Sequence, residues 1–260
     1  MDKALIRQRF AKATDSYDRQ AGMQKHVARH MAEAIKRHIS DSDGWNVLEI
    51  GCGTGLFTRE YLREVRPGRL LLNDICPEVE PYLSGLPTAS PIRFQACDAE
   101  TLRFPAGQHL IVSCSAVQWF ERPERFLSGC RELLTTGGYL AFSTFGPQNV
   151  REVASLTSET LPYRSLEELR RTLSGVYQIV YSREEILHFT FPLPLDVLKH
   201  LQATGVTGLR SRKWTKGQLE DFCQRYHRQY AAQDGTVPLT YHPIYMICKK
   251  QEKCKKMYFS

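Results

Sequence analysis

The segment Asn46–Gly55, NVLEIGCGTG, constrains the fold more than any other part of the chain. Its first half contains branched apolar residues in a run too short for a helix, which is typical of a buried parallel strand. Gly51, Gly53 and Gly55 follow at alternate positions, and glycine permits backbone conformations and close approaches that a side chain would block. Helical spacing resumes over Leu56–Val65. The segment therefore predicts a strand, a tight turn open to a ligand, and a helix.

The acidic residues around this turn indicate the kind of ligand. Asp74 ends the next apolar strand, Leu70–Leu72. It follows Gly55 at about the spacing, roughly 20 residues, at which a doubly wound fold delivers a carboxylate to a ribose. Glu49 precedes the first glycine, where a carboxylate repels phosphate and suits a cation. The spacing G-x-G-x-G also departs from the G-x-G-x-x-G of dinucleotide sites. A tight turn without a ligand needs the same glycines, so the turn alone leaves both interpretations open.

The motif LEIGCGTG resembles the first motif of class I S-adenosylmethionine-dependent methyltransferases, whose cofactor carries a sulfonium and an ammonium but no phosphate. The resemblance implies that Glu49 orients the site, that the glycines pass under the methionine part, and that Asp74 binds the ribose. Strand Ile92–Ala96 runs into Cys97-Asp98-Ala99-Glu100, which is similar to the family motif whose Asp meets the adenine amino group. The cofactor-binding residues so implied are Tyr17, Gln24, Glu49, Gly51, Cys52, Gly53, Gly55, Asp74, Ile75, Asp98, Ala99 and Ser115.

Further motifs are similar to one branch of this superfamily. The pattern R-F-x-x-A-x-x-x-Y-D-x-x-A-x-x-Q from Arg9 to Gln24, the S-A-V-Q-W of residues 115–119 and the F-S-T-F-G-P of residues 142–147 resemble the malonyl-[acyl-carrier protein] O-methyltransferase family of biotin synthesis. The L-K-H-L-Q-A-T-G of residues 198–205 and the L-T-Y-H of residues 239–242 agree with it. The resemblance covers most of residues 9–248 and implies that Tyr17 and Trp119 line the active site.

The order of the patterns predicts an α/β fold. Residues 46–145 alternate strand and helix, which yields a parallel sheet with helices on both faces. The resemblance implies a Rossmann-like class I methyltransferase fold with a seven-stranded, mostly parallel sheet, an N-terminal helical arm over the cofactor and a helical lid. The arm is residues 1–44; by itself, its pattern is that of an amphipathic helix that packs Phe10, Ala13 and Val27 on the sheet.

The methyltransferase domain is predicted to span residues 45–248. After the fifth strand the patterns predict helices at about 149–161, 165–174, 195–204 and 215–232, an extended segment Ile186–Phe191 and a last strand Val237–Cys248. The segments at about 148–175 and 194–233 are predicted to form the lid above the carboxyl edge of the sheet, where ligands bind in such folds. The alternative is that they only elaborate the packing.

Composition agrees with one sizeable core, or one core plus a small cap, at 260 residues with 42% hydrophobic and 24% charged residues. No run is long enough to span a bilayer, and the charged N-terminus MDKALIRQRF lacks the apolar core of a secretory signal. Eight scattered cysteines without a C-x-x-C pair favour reduced thiols in a cytoplasmic protein. No metal-ligand spacing is seen, so no metal site is predicted. The lysine-rich tail, 249–260, is predicted to be a disordered, solvated end.

The implied chemistry requires no catalytic base. A malonyl carboxylate is ionised near neutral pH, because carboxyl groups have pKa values of about 4, so none of the eight histidines is predicted to be essential. Positioning and desolvation are then the protein's tasks. An arginine fork is the best match for the substrate carboxylate. The candidates are Arg122, Arg125, Arg151, Arg164, Arg210 and Arg212, with Arg164 and Arg212 favoured because they lie in the predicted lid.

The net charge of +7 and a pI near 9.0 indicate an acidic partner. An acyl carrier protein is such a partner, and malonyl-CoA is the other carrier of the same group. Nucleic acid is the competing inference from charge, but the N-P-P-Y-type turn of base methylases is replaced by Ser113–Trp119, and no basic stripe interleaved with aromatics stands out. Methylation of another small acid or phenol, and a non-catalytic cofactor-binding scaffold, are the alternative functions.

Overall fold

The computed structural model describes residues 2–40, 42–157, 160–204 and 214–251, and of these the side chains of 12–19 lie outside the description. The helices are α1 Lys3–Gln20, α2 Gly22–His38, α3 Leu56–Leu62, α4 Pro123–Leu133, α5 Arg151–Thr157, α6 Leu166–Ser174, α7 Pro194–Ala203 and α8 Lys216–Tyr230. The strands are β1 Asn46–Ile50, β2 Arg69–Asp74, β3 Ile92–Ala96, β4 Gln108–Cys114, β5 Leu134–Phe145, β6 Tyr177–Glu184, β7 Leu187–Phe191, β8 Val237–Tyr241 and β9 Pro243–Lys250. Two 3₁₀ turns, Pro77–Leu83 and Val117–Trp119, follow β2 and β4.

Seven strands form one sheet in the order β3-β2-β1-β4-β5-β9-β6. Strands β1 to β5 pair in parallel, and β9 pairs antiparallel with both β5 and β6, so β9 alone runs against the rest. The predicted seven-stranded, mostly parallel sheet is confirmed. Because β1 pairs with β2 on one side and β4 on the other, the strand order reverses there, and such switch points form a crevice for ligands.

Both faces of the sheet are buried. Along β1 the side chains alternate, with Val47 in one hydrophobic cluster and Leu48 and Ile50 in the other. Helices α2 and α3 pack in the first cluster, and α4 and α6 pack in the second. Apolar burial on both faces is what a continuous apolar strand requires, and it fixes the carboxyl ends of β1 to β4 as one rigid edge.

Several helices begin where local chemistry favours a start. Pro123 opens α4 and Pro194 opens α7, at positions where the missing amide donor has no intrahelical partner to lose. Helix α6 begins with a capping box: the Ser165 hydroxyl accepts from the Glu168 amide, and the Glu168 carboxylate accepts from the Ser165 amide.

The predicted last strand, Val237–Cys248, is wrong as a single element. It breaks at His242 into β8, which pairs with β7 in a separate two-stranded sheet, and β9, which enters the main sheet. The His242 amide donates to the Asn149 side chain, and Pro243 has no amide to offer a ladder. Residues Lys249 and Lys250, predicted to start the tail, instead belong to β9.

Other predicted bounds also need correction. The first helix after the glycine turn ends at Leu62 rather than Val65, and α5 spans Arg151–Thr157 rather than 149–161. Strand β6 was not predicted, because Tyr177–Glu184 mixes polar and apolar residues on a sheet edge. In the described part of the chain no helix is both long and apolar enough to cross a membrane, and the seven cysteines there are free thiols.

Candidate functional site

A pocket with about 1130 Å³ of open space lies at the carboxyl ends of β1 to β4 and is also lined by α1 and α2. The predicted site residues that line it are Gln24, Glu49, Gly51, Cys52, Gly53, Asp74, Ile75, Asp98, Ala99, Ser115 and Trp119. Gly55 is not among the lining residues and instead caps α3. The side chain of Tyr17 lies outside the described residues.

Gly51 and Gly53 in the turn are required, or tolerated, as glycines for different physical reasons. At Gly51, with φ of +70°, an added Cβ would lie 2.3 Å from the Cβ of Ala116, so the segment after β4 fills that space. At Gly53, with φ of +52°, an added Cβ would meet nothing within 4 Å. Gly53 is therefore the position where a ligand can approach main chain, while Gly51 is required by packing.

Glu49 is buried at the bottom of the pocket. Its Oε2 accepts a 2.7 Å hydrogen bond from the Thr58 hydroxyl. Burial raises the pKa of Glu49 to about 8; the hydrogen bond from Thr58 opposes this and the nearby Asp74 carboxylate adds to it. A carboxyl group in this setting is stabilised as an anion by a cationic ligand. Burial likewise raises the pKa of the adjacent Cys52 thiol, which makes it a packing group rather than a nucleophile.

Asp74 joins two turns at the edge of the pocket. Its Oδ2 accepts from the Gly53 amide at 2.8 Å, and its Oδ1 accepts from the Cys76 amide at 2.9 Å. Burial raises the pKa of Asp74, and these backbone donors work against that shift. The carboxylate therefore fixes the glycine turn after β1 relative to the end of β2, and it keeps acceptor capacity for a ligand hydroxyl beside these backbone donors.

Lys3 of α1 holds the acids that follow β3. Its Nζ lies 2.7 Å from Asp98 Oδ2 and 2.5 Å from Glu100 Oε2. Burial lowers the pKa of Lys3, but the bonds to Asp98 and Glu100 outweigh it and raise the pKa overall. Glu100 also accepts from the amides of Glu121 and Arg122, both at 2.8 Å. This ion pair network ties the start of the chain to the adenine-type motif and to the segment after β4.

Aromatic side chains form one wall of the pocket. Phe10 of α1 meets Trp119 edge to face, with ring centroids 5.7 Å apart, and Phe120 lines the pocket beside them. Phe10 thus does more than pack on the sheet, which was its predicted role. Within the described residues no histidine lines the pocket. The wall is apolar and can exclude water from a reacting centre.

Gln24 presents an unused polar group to the pocket. The residue is 8% exposed, and its Oε1 has no hydrogen-bond partner among the described residues. Buried polar atoms are normally paired. Gln24 therefore offers an acceptor to a ligand with N–H or O–H donors.

The predicted arginines do not converge on the pocket. Arg164 Nε lies 2.6 Å from Glu124 Oε1 on a half-exposed side chain, and Arg151 pairs with Gln148 and Glu152. Arg122 and Arg125 line a neighbouring cavity, which shares Lys3, Asp98 and Ala99 with the first. Arg210 and Arg212 lie outside the described residues. The described residues of 148–175 and 194–233 do not line the pocket; α7 packs against α1 instead.

Sequence reasoning missed the α1 face. Lys3, Ile6 and Phe10 line the pocket with spacings of three and four residues, which place them on one side of a helix. This spacing was a usable signal, but the amphipathic pattern by itself does not say what the helix covers. Cys76, Val79 and Cys114 also line the pocket, and nothing in their local sequence marks them, whereas Ala116 lies within the S-A-V-Q-W motif but was not singled out.

The chain is similar in sequence to known methyltransferases. Residues 48–142 match a family model described as a methyltransferase domain. The malonyl-[acyl-carrier protein] O-methyltransferase of Bacteroides thetaiotaomicron is 44% identical over 262 residues, which cover 97% of this chain and 100% of that protein. The protein of the same name from Bacteroides fragilis is 45% identical over 249 residues, which are 96% of this chain but 51% of that protein, so the chain spans about half its length.

Among solved structures, the YcgJ protein of Bacillus subtilis has a TM-score of 0.61 to this chain, with 17% identity, and the match covers 86% of this chain and 99% of that one. At that identity the likeness shows the fold alone.

Proposed function

The chain belongs to the malonyl-[acyl-carrier protein] O-methyltransferase family, and from this premise we propose that it methylates the free carboxylate of a malonyl thioester on an acyl carrier protein, an early step of biotin synthesis. As a member of this family it is an O-methyltransferase whose methyl donor is S-adenosylmethionine. The observation that carries the proposal is the pocket at the switch point, lined by Glu49, Asp74 and Asp98.

The residues present fit this donor. It supplies an electrophilic methyl group on a cationic sulfur, together with an ammonium and a ribose. Buried Glu49 favours a cation, Asp74 has lone pairs for ribose hydroxyls, and Gly53 leaves main chain open beside them. Gln24 supplies a further acceptor. A phosphate would meet the acidic side chains of Glu49, Asp74 and Asp98 here and would gain no favourable charge from Glu49 in either protonation state, which speaks against a dinucleotide.

Methyl transfer to a carboxylate needs positioning more than proton transfer. The acceptor oxygen is already anionic at neutral pH, so the protein's contribution is to exclude water and align the reacting atoms. Phe10, Trp119 and Phe120 supply the apolar wall on which that depends. We propose that Tyr17 completes this wall.

We propose that an arginine of the lid segments binds the substrate carboxylate. Lys3 is engaged by Asp98 and Glu100, and Arg164 by Glu124. Arg212, which lies outside the described residues, is therefore the better of the two favoured candidates. We propose that the segment at about 194–233 acts as a lid above the carboxyl edge of the sheet; in its described part, α7 packs on α1, which lines the pocket.

The carrier protein is proposed over coenzyme A because the relatives that match nearly the whole chain are named for the carrier protein. The formal net charge of +7 supports an acidic partner, which it would steer towards the chain. The cavity beside the pocket has exposed residues of both signs, Arg103, Arg122 and Arg125 with Glu121 and Glu132, so it is not by itself a basic docking surface.

The proposal is tested by incubating the full chain with methyl-labelled S-adenosylmethionine and malonyl-acyl carrier protein, malonyl-CoA or free malonate. We expect base-labile label on the malonyl thioesters, with the highest kcat/KM for the carrier protein. Acetyl-acyl carrier protein, which lacks the free carboxylate, is the matched control. Label on the acetyl form, or none on any malonyl thioester by protein that binds the donor, would contradict the proposal.

A further inference from the structure

Two histidines and a glutamate meet at the side of α2 that faces β6 and β9, and none of the three lines the pocket. His26 and His30 are four residues apart and so lie on one face of the helix. Glu185, in the connection between β6 and β7, reaches both: His26 Nε2 lies 3.1 Å from Glu185 Oε2, and His30 Nδ1 lies 3.2 Å from Glu185 Oε1. We propose that these three residues form a divalent metal site of the zinc class that ties α2 to the β6–β7 connection.

The distances suit a tetrahedral ion. Zinc binds histidine nitrogen and carboxylate oxygen at about 2.0–2.2 Å, which places neighbouring ligand atoms about 3.3 Å apart. The two histidine–carboxylate separations, 3.1 Å to Oε2 and 3.2 Å to Oε1 of Glu185, are each close to that spacing. One ligand atom from each of the three residues lies within 4.8 Å of the others, so an ion bound here would draw them closer together. Two histidines and a glutamate form a known zinc ligand set, with water in the fourth position.

His30 is oriented for this role by its neighbours. Its Nε2 lies 2.8 Å from the Tyr181 hydroxyl, and its ring stacks on Tyr245 with centroids 4.0 Å apart. When Nε2–H donates to Tyr181, the Nδ1 lone pair faces the cluster. An outer partner of this kind fixes the tautomer and ring plane of a metal-ligating histidine. Tyr181 is thus a positioning residue.

Arg183 is the competing group. Its Nε lies 3.2 Å from Glu185 Oε1, so the carboxylate already has a cationic neighbour. The Arg183 side chain is 57% exposed and the His26 side chain 44% exposed, so the guanidinium can move into solvent and an ion can enter. This predicts an effect of opposite sign: removing a metal ligand weakens binding, and removing Arg183 strengthens it.

The site would act at the root of the arm. His26 and His30 lie in the first half of α2, just after Ala21 separates α1 from α2. Another face of the same helix turns Gln24 and Ala28 into the pocket. A metal bridge from α2 to Glu185 would hold this part of the helix against the strand edge of the sheet. No metal site was predicted from sequence because Glu185 lies far along the chain from both histidines.

The test uses the full chain without a polyhistidine tag, titrated with ZnCl₂ and with CoCl₂ at pH 7.5, and with MgCl₂ as the hard-cation control. We expect one Zn²⁺ per chain with a micromolar Kd, a rise in Tm, visible d–d absorption typical of tetrahedral Co²⁺, and no response to Mg²⁺. Absence of saturable 1:1 Zn²⁺ binding would overturn the proposal.

Variants separate a built site from adventitious binding. His26→Ala and His30→Ala should each weaken Zn²⁺ binding at least tenfold, and Tyr181→Phe should weaken it about tenfold through lost orientation. Arg183→Gln should strengthen it about two- to fivefold, the size of an exposed ion pair. His227→Ala, on an exposed position of α8, is the matched control.

Should His30→Ala fold poorly, the exposed His26 variant and the Arg183 variant still decide the question. Equal affinity in wild type and His26→Ala, an equal loss in His227→Ala, or weaker binding in Arg183→Gln would each refute the site.

Discussion

The floor and the roof of the pocket are built in different ways. The floor, which is Glu49, Gly51 and Asp74 at the strand ends, is fixed by the parallel sheet, by close packing on Ala116 and by backbone amides. The roof, which is Lys3, Ile6 and Phe10 of α1, is held by side-chain contacts to distant parts of the chain, among them the ion pairs of Lys3, the edge-to-face contact of Phe10 with Trp119 and the packing of α7 on α1.

This difference separates two tasks. A rigid floor holds the site in its binding conformation before the ligand arrives, which lowers the conformational entropy lost on binding. A roof that consists of one helix held by side-chain contacts can open and close at a lower free energy than a sheet edge can rearrange, as covers over active sites must. Changes in the floor should therefore affect affinity and folding strongly, and changes in the roof should affect affinity weakly.

The largest effect is expected for Gly51→Ala. The new Cβ would lie 2.3 Å from Ala116 Cβ at a φ of +70°, so overpacking and backbone strain add. We expect the free energy of unfolding to fall by about 2–5 kcal/mol and donor binding to be lost. Urea unfolding and calorimetry measure the two effects. Gly85→Ala, where an added Cβ meets nothing within 4 Å, is the control; equal stability in both variants would show that the floor tolerates change.

The next effect is expected for Asp74→Asn. An amide in place of the carboxylate presents nitrogen to either Gly53 N–H or Cys76 N–H, so one backbone donor loses its acceptor. Such a loss amounts to about 1–3 kcal/mol, which corresponds to roughly 5- to 150-fold in donor affinity. Asp98→Asn is the matched change at an acid that pairs with Lys3 of the roof. We expect a smaller loss of donor affinity there, because Lys3 still pairs with Glu100 in this variant. Calorimetry showing a larger loss for Asp98→Asn would reverse the comparison.

The floor could be predicted from the sequence because its information is local. Strand, glycine turn and acid follow one another in β1 and β2, and the resemblance carried Asp98 and Trp119 to positions that do line the pocket. The roof could not, because Lys3 meets Asp98 across 95 residues, and a lysine near an N-terminus carries no pattern that names its partner.

The same limit explains the errors in the second half of the chain. β6 is an edge strand whose membership in the sheet depends on pairing with β9, which comes after two further helices and two further strands. The break at His242 depends on Asn149, 93 residues away. Arg164 faces Glu124 on α4 rather than the pocket because α6 packs on α4. Periodicity identifies elements, but long-range pairing decides which surface each one faces.

The affinity for the donor is expected to depend on pH because of Glu49, the buried carboxyl group of the floor. Its pKa rises from 4.5 to about 8 on burial, so without ligand the carboxyl keeps its proton at pH 7. A cationic donor favours the anion, so binding releases a proton and affinity should rise with pH up to about 8, by at most tenfold per pH unit. Calorimetry in buffers of different ionisation enthalpy measures the proton released.

The free energy of unfolding should change with pH in the opposite direction to the donor affinity. The unfolded carboxyl ionises near pH 4.5 and the folded one near 8, so this group's contribution to the free energy of unfolding falls as pH rises through that window. Glu49→Gln should remove both dependences. Retention of a full proton release in Glu49→Gln would assign the titration to another group.

The smallest effect is expected for Lys3→Met, which removes the roof's ion pairs and keeps its apolar stem. The Lys3 side chain is 20% exposed, so solvent screens part of the interaction, and we expect donor affinity to fall about threefold, mostly through faster dissociation. The wild-type affinity should weaken with added salt and that of Lys3→Met should not. Lys25→Met, at an exposed position of α2, controls for net charge. Lys3 forms an ion pair with Asp98, which is also a proposed ligand-binding acid. If Lys3→Met bound the donor more tightly than the wild type, α1 would compete with the ligand for Asp98 instead of closing over it.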